Sequence, residues 1–549
     1  MRRTDSDNPA AASDRFQFGR SAAAWIVALI ALTLVILPLA WFAVSVLQSP
    51  APARTSGAVP DQVLAQTPWS LFVSSVGWAG AVGLLATAAA WPVAWAARRR
   101  PWLVIACMIP LALPNYLCYA ALNLARSPST PLGDWIQRLA AGDEGWTQAP
   151  IIAGRVIAGL GLVLWIWPLS LLALLPTVRA ISDETLDQLD LESRGFWTHF
   201  RMRIALCRGG LLAAVVAAMV VILGSPVPLH VAQVPTASMA VWVGLVQDPG
   251  NPRHWLTGWP LLVVAAATAA WLARWLVLAP ASPETASETA RFREQRIWRL
   301  WPLAASTLIP LVLLTRSLHE WVSIPRFIHL GIESMGASLM VGGVVASLAL
   351  VLGCLVWFVA GTPGRLSGPL RWVAIAVLSI FAAATLSPGV MIGAAVARAF
   401  SRISLAGMDD SLLPPIAAHL VRYAAIMMIA CALLRRAEPA DLGDAIRLDG
   451  AEGVWGFLSM RVWPNRLPLA AAWLLTLSLS VHDIDTSIMV QPPGSQSLAE
   501  RMLGFLHFAK TEELCAGSII FEAVGIAFGA VIYLLARLQE RGSHGTGVR

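Results

Sequence analysis

The feature that most limits what this chain can fold into is a series of apolar stretches, most of them about as long as a bilayer is thick. The first, Ala22–Leu47, contains no charged residue. A helix rising 1.5 Å per residue needs about 20 such residues to cross roughly 30 Å of hydrocarbon. Five more runs follow near Ser70–Ala97, Trp102–Ala125, Val156–Val178, Gly210–Leu229 and Gly258–Leu278. Another six lie near Leu300–Thr315, Gly336–Ala360, Trp372–Ala397, Leu412–Leu434, Leu469–Val490 and Ala516–Ala536. Backbone N–H and C=O groups find no water inside lipid, so each run is expected to be helical. Composition agrees: 57% of residues are apolar, 13% are charged, and mean hydropathy is +0.67. The expected fold is all-α, a polytopic membrane protein of about 12 transmembrane helices. Ala22–Leu47 exceeds the length of a signal-peptide core and reads as an uncleaved first span.

Between the apolar runs lies a polar island, Asp441–Pro468, holding Asp441, Asp444, Arg447, Asp449, Glu452, Arg461 and Arg466. A weaker copy occurs at Asp183–Arg208. Asp187, Leu189, Leu191 and Glu192 match Asp444, Ile446, Leu448 and Asp449 at a shift of 257. Gly195, Trp197, Met202, Arg203, Ile204 and Arg208 match Gly453, Trp455, Met460, Arg461, Val462 and Arg466 at 258. A repeat of that length in 549 residues implies two homologous six-helix halves. The expected organisation is a disordered tail (1–20), a first repeat (21–280), a linker (281–298), a second repeat (299–540) and a short tail (541–549). Each island has polar flanks, a few apolar knobs and a glycine, as a short helix that docks on a soluble partner requires. An ordinary basic loop is the plainer alternative, but it gives no reason for duplication.

Asp444-Ala445-Ile446, followed by Gly450, resembles the EAA loop of ABC-type importer permeases. That pattern is E-A-A, three residues, G, nine residues, I-x-L-P. Val462-Trp-Pro464 replaces I-x-L-P at a longer spacing. In the first copy Asp187-Gln188-Leu189 stands for EAA and Ser193 for the glycine. Asp483, Pro492-Pro-Gly494, Leu498, Arg501 and His507-Phe508 further resemble the second half of fused permeases of the ferric-iron class. In the first half Gly224-Ser-Pro226 looks like the paired segment. Thiamine, phosphonate and polyamine permeases look similar. The resemblance implies a transport subunit, not an enzyme, in a bacterial cytoplasmic membrane. It implies two copies of a separate ATPase subunit, an external or periplasmic solute-binding protein, and a solute path through the bilayer. ATP would sit on the partner subunit, with no cofactor on this chain. The coupling residues it implies are Asp187, Leu189, Leu191, Gly195, Asp444, Ala445, Ile446, Leu448 and Gly450.

Arginine placement gives an independent reading of topology. With both termini inside, about 26 arginines fall in inner segments against roughly 10 basic residues outside, and both polar islands face the cytoplasm. The net charge of +7 therefore reflects sidedness and does not point to nucleic acid. Polar groups within spans are costly, so each is a candidate for the path. Asn115 and Tyr116 lie beside Pro110 and Pro114, which could break the third span. His419 and Arg422 lie in the tenth span, and Asp483 and Asp485 near the outer part of the eleventh. Interhelical hydrogen bonding is the competing role for them. If ferric iron were the cargo, carboxylate and phenolate oxygens would suit so hard a cation. Gly342-Gly343 and Gly353 read as close helix contacts.

Other motifs fail. Gly504–Thr511 approaches a phosphate-binding loop, but Phe505, Leu506 and Phe508 are bulky where backbone must wrap phosphate. Pro369 breaks a signature-like Leu366-Ser-Gly. The six cysteines are scattered and suggest neither a disulfide framework nor a zinc site. Two other classes compete with an ABC permease. A proton-coupled secondary transporter would place acids mid-membrane. A membrane-embedded enzyme would cluster acids and histidines in an outer loop, where Asp409-Asp410 and His482–Asp485 are the candidates.

Overall fold

The computed structural model describes residues 9–48, 67–98, 100–141, 146–192, 195–225, 227–248, 251–278, 297–361, 369–403, 410–438, 442–449 and 453–545. Most of the 281–298 linker, Asp441, Ser193 and Gly450 lie outside them. The described chain is helical, with no strand among those residues. The helices used below are α1 (Gly19–Gln48), α2 (Pro68–Ala97), α3 (Leu103–Ala112), α4 (Asn115–Arg126) and α5 (Ala149–Ala180). There follow α6 (Asp183–Glu192), α7 (Phe196–Leu223), α8 (Ala237–Gln247), α9 (His254–Leu278), α10 (Trp301–Ser317) and α11 (Ser323–Ala360). The remainder are α12 (Pro369–Leu386), α13 (Gly389–Ile403), α14 (Leu413–Arg436), α15 (Leu442–Leu448), α16 (Arg466–Val481), α17 (Leu498–His507) and α18 (Thr511–Gly545).

Among the described residues nine helices are long and apolar enough to cross a membrane, or ten if the bent pair α3–α4 is one span. The chain is thus an all-α, multi-pass membrane protein. Its outward faces carry Trp25, Leu29, Leu84, Leu85 and Val263, each more than half exposed. An apolar surface of that extent is stable against lipid and not against water.

The expected runs and the observed helices differ where proline intervenes. α3 and α4 meet at 73° across Leu113-Pro114. Pro114 has no N–H to continue the helix and holds Leu113 extended (φ −85°, ψ 124°). The run Trp372–Ala397 is two helices, α12 and α13, separated at Ser387-Pro388 for the same reason. The run Leu469–Val490 keeps helical form only to Val481, then unwinds through residues 482–486. α10 has 17 residues and α16 has 16, short of a full crossing. In α1 the wide turn Leu32–Ile36 precedes Pro38, whose missing donor disturbs the ladder there.

Two three-helix groups form the core. α2, α5 and α7 pack on one another, as do α11, α14 and α16. Links between the groups are reciprocal: α9 packs along α12 while α18 packs along α3, and the end of α1 meets α13 while α10 meets α4. Small residues set the close approaches. A Cβ on Gly83 would lie 2.9 Å from Val215 O, and one on Gly353 would lie 3.0 Å from Met427 O. Gly342 abuts Leu477 O similarly at 3.3 Å, whereas Gly343 has only a side-chain neighbour at 3.9 Å. Overpacking a tight helix contact costs about 1–3 kcal/mol. Gly353→Leu should therefore lower the melting temperature of the detergent-solubilised chain clearly, and Gly343→Ala should leave it nearly unchanged.

Candidate functional site

The proline breaks converge on one seam between the two helix groups. At the first break Asn115 Nδ2 donates to Ser225 Oγ at 2.5 Å, joining α4 to the end of α7. Beside it, a Cβ on Gly224 would lie 3.3 Å from Leu386 O and 3.4 Å from Ser387 O. The end of α7 thus touches the α12–α13 break. Tyr116 is fully buried, and its hydroxyl donates to Ala499 O at 3.4 Å, across to α17.

On the far side of that break lies a cluster of buried ionisable groups. Arg422 on α14 donates from Nη1 to Thr486 Oγ1 (3.1 Å) and from Nη2 to Asp485 Oδ2 (3.5 Å). Its Nε is 3.6 Å from Asp483 Oδ2. His419, one turn earlier, places Nδ1 2.8 Å from Ser480 Oγ and Nε2 3.0 Å from Ser487 Oγ. The unwound segment is held by its own acid, since Thr486 N donates to Asp483 Oδ1 at 3.2 Å. Two carboxylates therefore face one guanidinium in a space shielded from solvent. Asp483 Oδ2 and Asp485 Oδ1 have no hydrogen-bond donor. A cavity of about 20 Å³, room for one water, adjoins His419, Ser338, Ser480, Ser487, Gln491 and Ser497.

Gly389 makes this arrangement possible. A Cβ there would fall 1.2 Å from Arg422 Nη1 and 2.7 Å from Thr486 Oγ1. The glycine that restarts the helix after Pro388 is thus also the floor on which the guanidinium rests. Sequence reading named Asn115, Tyr116, His419, Arg422, Asp483 and Asp485, and the structure brings the last four together, with Asn115 and Tyr116 across the seam. It did not name Gly389, Thr486 or Glu522. Glu522 on α18 is buried, and its Oε2 has no donor. An acid inside an apolar run was a readable signal; Gly389 was readable only as part of a helix break.

The duplicated islands form the other candidate surface. α6 begins at Ser182, whose Oγ accepts from Thr185 N (3.2 Å), with Asp183 and Glu184 in its first turn. Both features stabilise a helix start. Arg98 pairs with Asp183 at 3.0 Å and fixes α6 to the end of α2. Within α6, Leu189 is buried, Asp187 is exposed, and Leu191 is 84% exposed. Gly195 caps α7. In α15, Ile446 is buried, Asp444 half-buried, Ala445 exposed, and Leu448 is 88% exposed. Trp197 and Trp455 are likewise exposed beyond the two helices. Each island thus presents one buried apolar anchor, then an exposed leucine and an exposed tryptophan.

Among the described residues no group of three His, Cys, Asp or Glu side chains is placed to hold a metal ion. Comparison of the chain with family models, with curated proteins and with solved structures finds no match.

Removing one partner of a buried ion pair costs about 3–5 kcal/mol. Arg422→Gln should destabilise the chain on that scale, and Gly389→Ala should too, by expelling the guanidinium. Because both act on one contact, the double variant should melt close to the worse single one, well short of the sum.

Proposed function

We propose that this chain is the transmembrane permease of an ATP-driven ABC importer, built from two six-helix halves, in a bacterial cytoplasmic membrane with both termini inside. The observation that carries the reading is the duplicated island. Two loops 257 residues apart share an acid, a buried apolar anchor and an exposed Leu and Trp. α6 and α15 are the coupling helices, each docking on one of two ATPase subunits, and an external binding protein delivers the solute. The reciprocal packing of the two helix groups supports the two-half organisation, with the short helices α10 and α16 counted as spans completed by their flanking segments.

In mechanism, closure of the ATPase dimer moves the coupling helices together, and the bundle passes from inward- to outward-facing. The polar seam at the helix breaks is the translocation path, lined by Asn115, Tyr116, His419, Arg422, Asp483 and Asp485. Broken helices near a repeat interface suit this role, because unwound segments expose polar groups without meeting lipid. The permease makes and breaks no covalent bond. The best cargo assignment is ferric iron, by the resemblance of the outer segment from Asp483 to Phe508. Thiamine, a phosphonate and a polyamine are the alternatives. The buried acids Asp483, Asp485 and Glu522 favour a second reading, a proton-coupled secondary transporter.

Uptake of labelled ferric iron, thiamine, phosphonate and polyamine into cells of the native host, with and without this chain, tests the assignment. Iron uptake should fall in the deletion and should fall equally with Asp444→Arg, while the variant remains folded in the membrane. Uptake at the wild-type level in Asp444→Arg would remove α15 from the coupling path. Uptake that follows the proton gradient and ignores ATP would favour the second reading.

A further inference from the structure

The loop between α14 and α16 is closed at its base by a buried ion pair. Glu438 lies two residues beyond α14, and Arg461 lies just before α16. Their side chains are 4% and 9% exposed, with Arg461 Nε 3.5 Å from Glu438 Oε1. The same oxygen accepts from Trp357 Nε1 at 3.2 Å, so the pair is seated on α11. Phe457 packs edge-on against Trp357 and Phe358, with ring centroids 5.6 and 5.3 Å apart. Arg435 Nε donates to Gly361 O at 2.7 Å and ties the end of α14 to the end of α11.

Local chain chemistry aims Arg461 inward. Pro464 cannot donate to the turn before it, and Trp463 N donates five residues back, to Leu458 O, at 2.8 Å. The resulting wide turn, Leu458–Val462, rotates Arg461 into the core. Burial raises the Glu438 carboxyl above its ordinary range, and Arg461, Trp357 and Arg435 oppose that only in part.

α14 and α16 are also joined farther along, where Arg422, in the body of α14, meets Asp483 and Asp485 just past α16. The pair α14–α16 is thus latched by charge at two separate levels. The first helix group is built differently. Arg203, the counterpart of Arg461, lies over Trp95 at 4.9 Å. Ile181 stands 257 residues before Glu438, so no carboxylate occupies that place. There the loop is tied sideways, from Asp183 to Arg98 of α2.

We infer that Glu438 and Arg461 are positioning residues that lock the α15 loop to the α11–α14–α16 group, so that a displacement of this loop moves α14 and α16 as one body. In the loop holding α6, Ile181 stands where Glu438 does, so the same pair cannot form, and Asp183–Arg98 ties that loop to α2. The immobilisation of the loop does not depend on the importer reading; its part in coupling does rest on it.

A nitroxide attached at Leu448→Cys, in the full chain in lipid nanodiscs with the six native cysteines replaced by alanine, tests this. A second preparation carries the label at Leu191→Cys. Glu438→Gln and Arg461→Gln should each loosen the label at position 448 several-fold and leave position 191 unchanged. Arg98→Gln should do the reverse. The exchanged pair, Glu438→Arg with Arg461→Glu, should tighten position 448 again, a rescue that a purely space-filling role would not give. Melting curves recorded alongside separate local release from unfolding. Unchanged mobility at position 448 in both single variants would overturn the inference. So would equal loosening at 191, or an exchanged pair as loose as the singles. None of these outcomes requires an ATPase, so the lock can fail while the importer reading stands.

Discussion

The constraint on which this structure depends is that a backbone inside lipid has only itself, and nearby side chains, to bond to. It makes the long apolar runs helical, and it decides where a helix can stop. Breaks at Pro114 and Pro388, and the unwinding after Val481, would be intolerable on the lipid face. All three lie instead in the seam between the helix groups, among buried polar side chains. Asn115 with Ser225 serves the first break, Arg422 lies on Gly389 at the second, and Asp483 accepts from Thr486 N at the third. At the third break Asp483 both accepts from the unwound backbone and belongs to the buried polar cluster.

The two sides of the seam are chemically unequal. One has a neutral Asn–Ser contact. The other has an arginine between two aspartates, with a histidine one turn away. At the opposite ends of the helices the inequality recurs: Glu438–Arg461 closes one loop, and a cation–π contact between Arg203 and Trp95 occupies the corresponding place. Charge pairs in a low-dielectric interior hold geometry firmly, because separating them exposes each to an uncompensated burial cost. The inferred lock would make the second helix group the stiffer one. A stiff element that touches both the loop and the seam can act as one arm of a two-state bundle.

Much of this was legible in the sequence. Length and hydropathy specify an all-α membrane protein, and the 257-residue repeat singles out α6 and α15. The prolines marked the bend at Leu113-Pro114. What the sequence hid was three-dimensional. Gly389 looks like any post-proline glycine until Arg422 is seen resting on it from 33 residues away. Glu438 looks like part of a polar loop, and only the wide turn ahead of Pro464 brings Arg461 back to meet it. Helix lengths were overread at the eleventh run, because apolar residues continue past Val481 while the backbone does not continue as helix. Hydropathy records the preference of side chains for lipid and is blind to where a buried acid captures an N–H.

The most direct measurement is purification of the full chain from its native membrane in mild detergent, with and without ATP-trapping conditions. Co-purifying proteins are identified and ATP hydrolysis is assayed. The account predicts a stoichiometric ATPase, two copies per chain, whose retention falls when Leu191 and Leu448 are both replaced by aspartate. A chain that comes through alone under every condition, with no ATP hydrolysis, would contradict it.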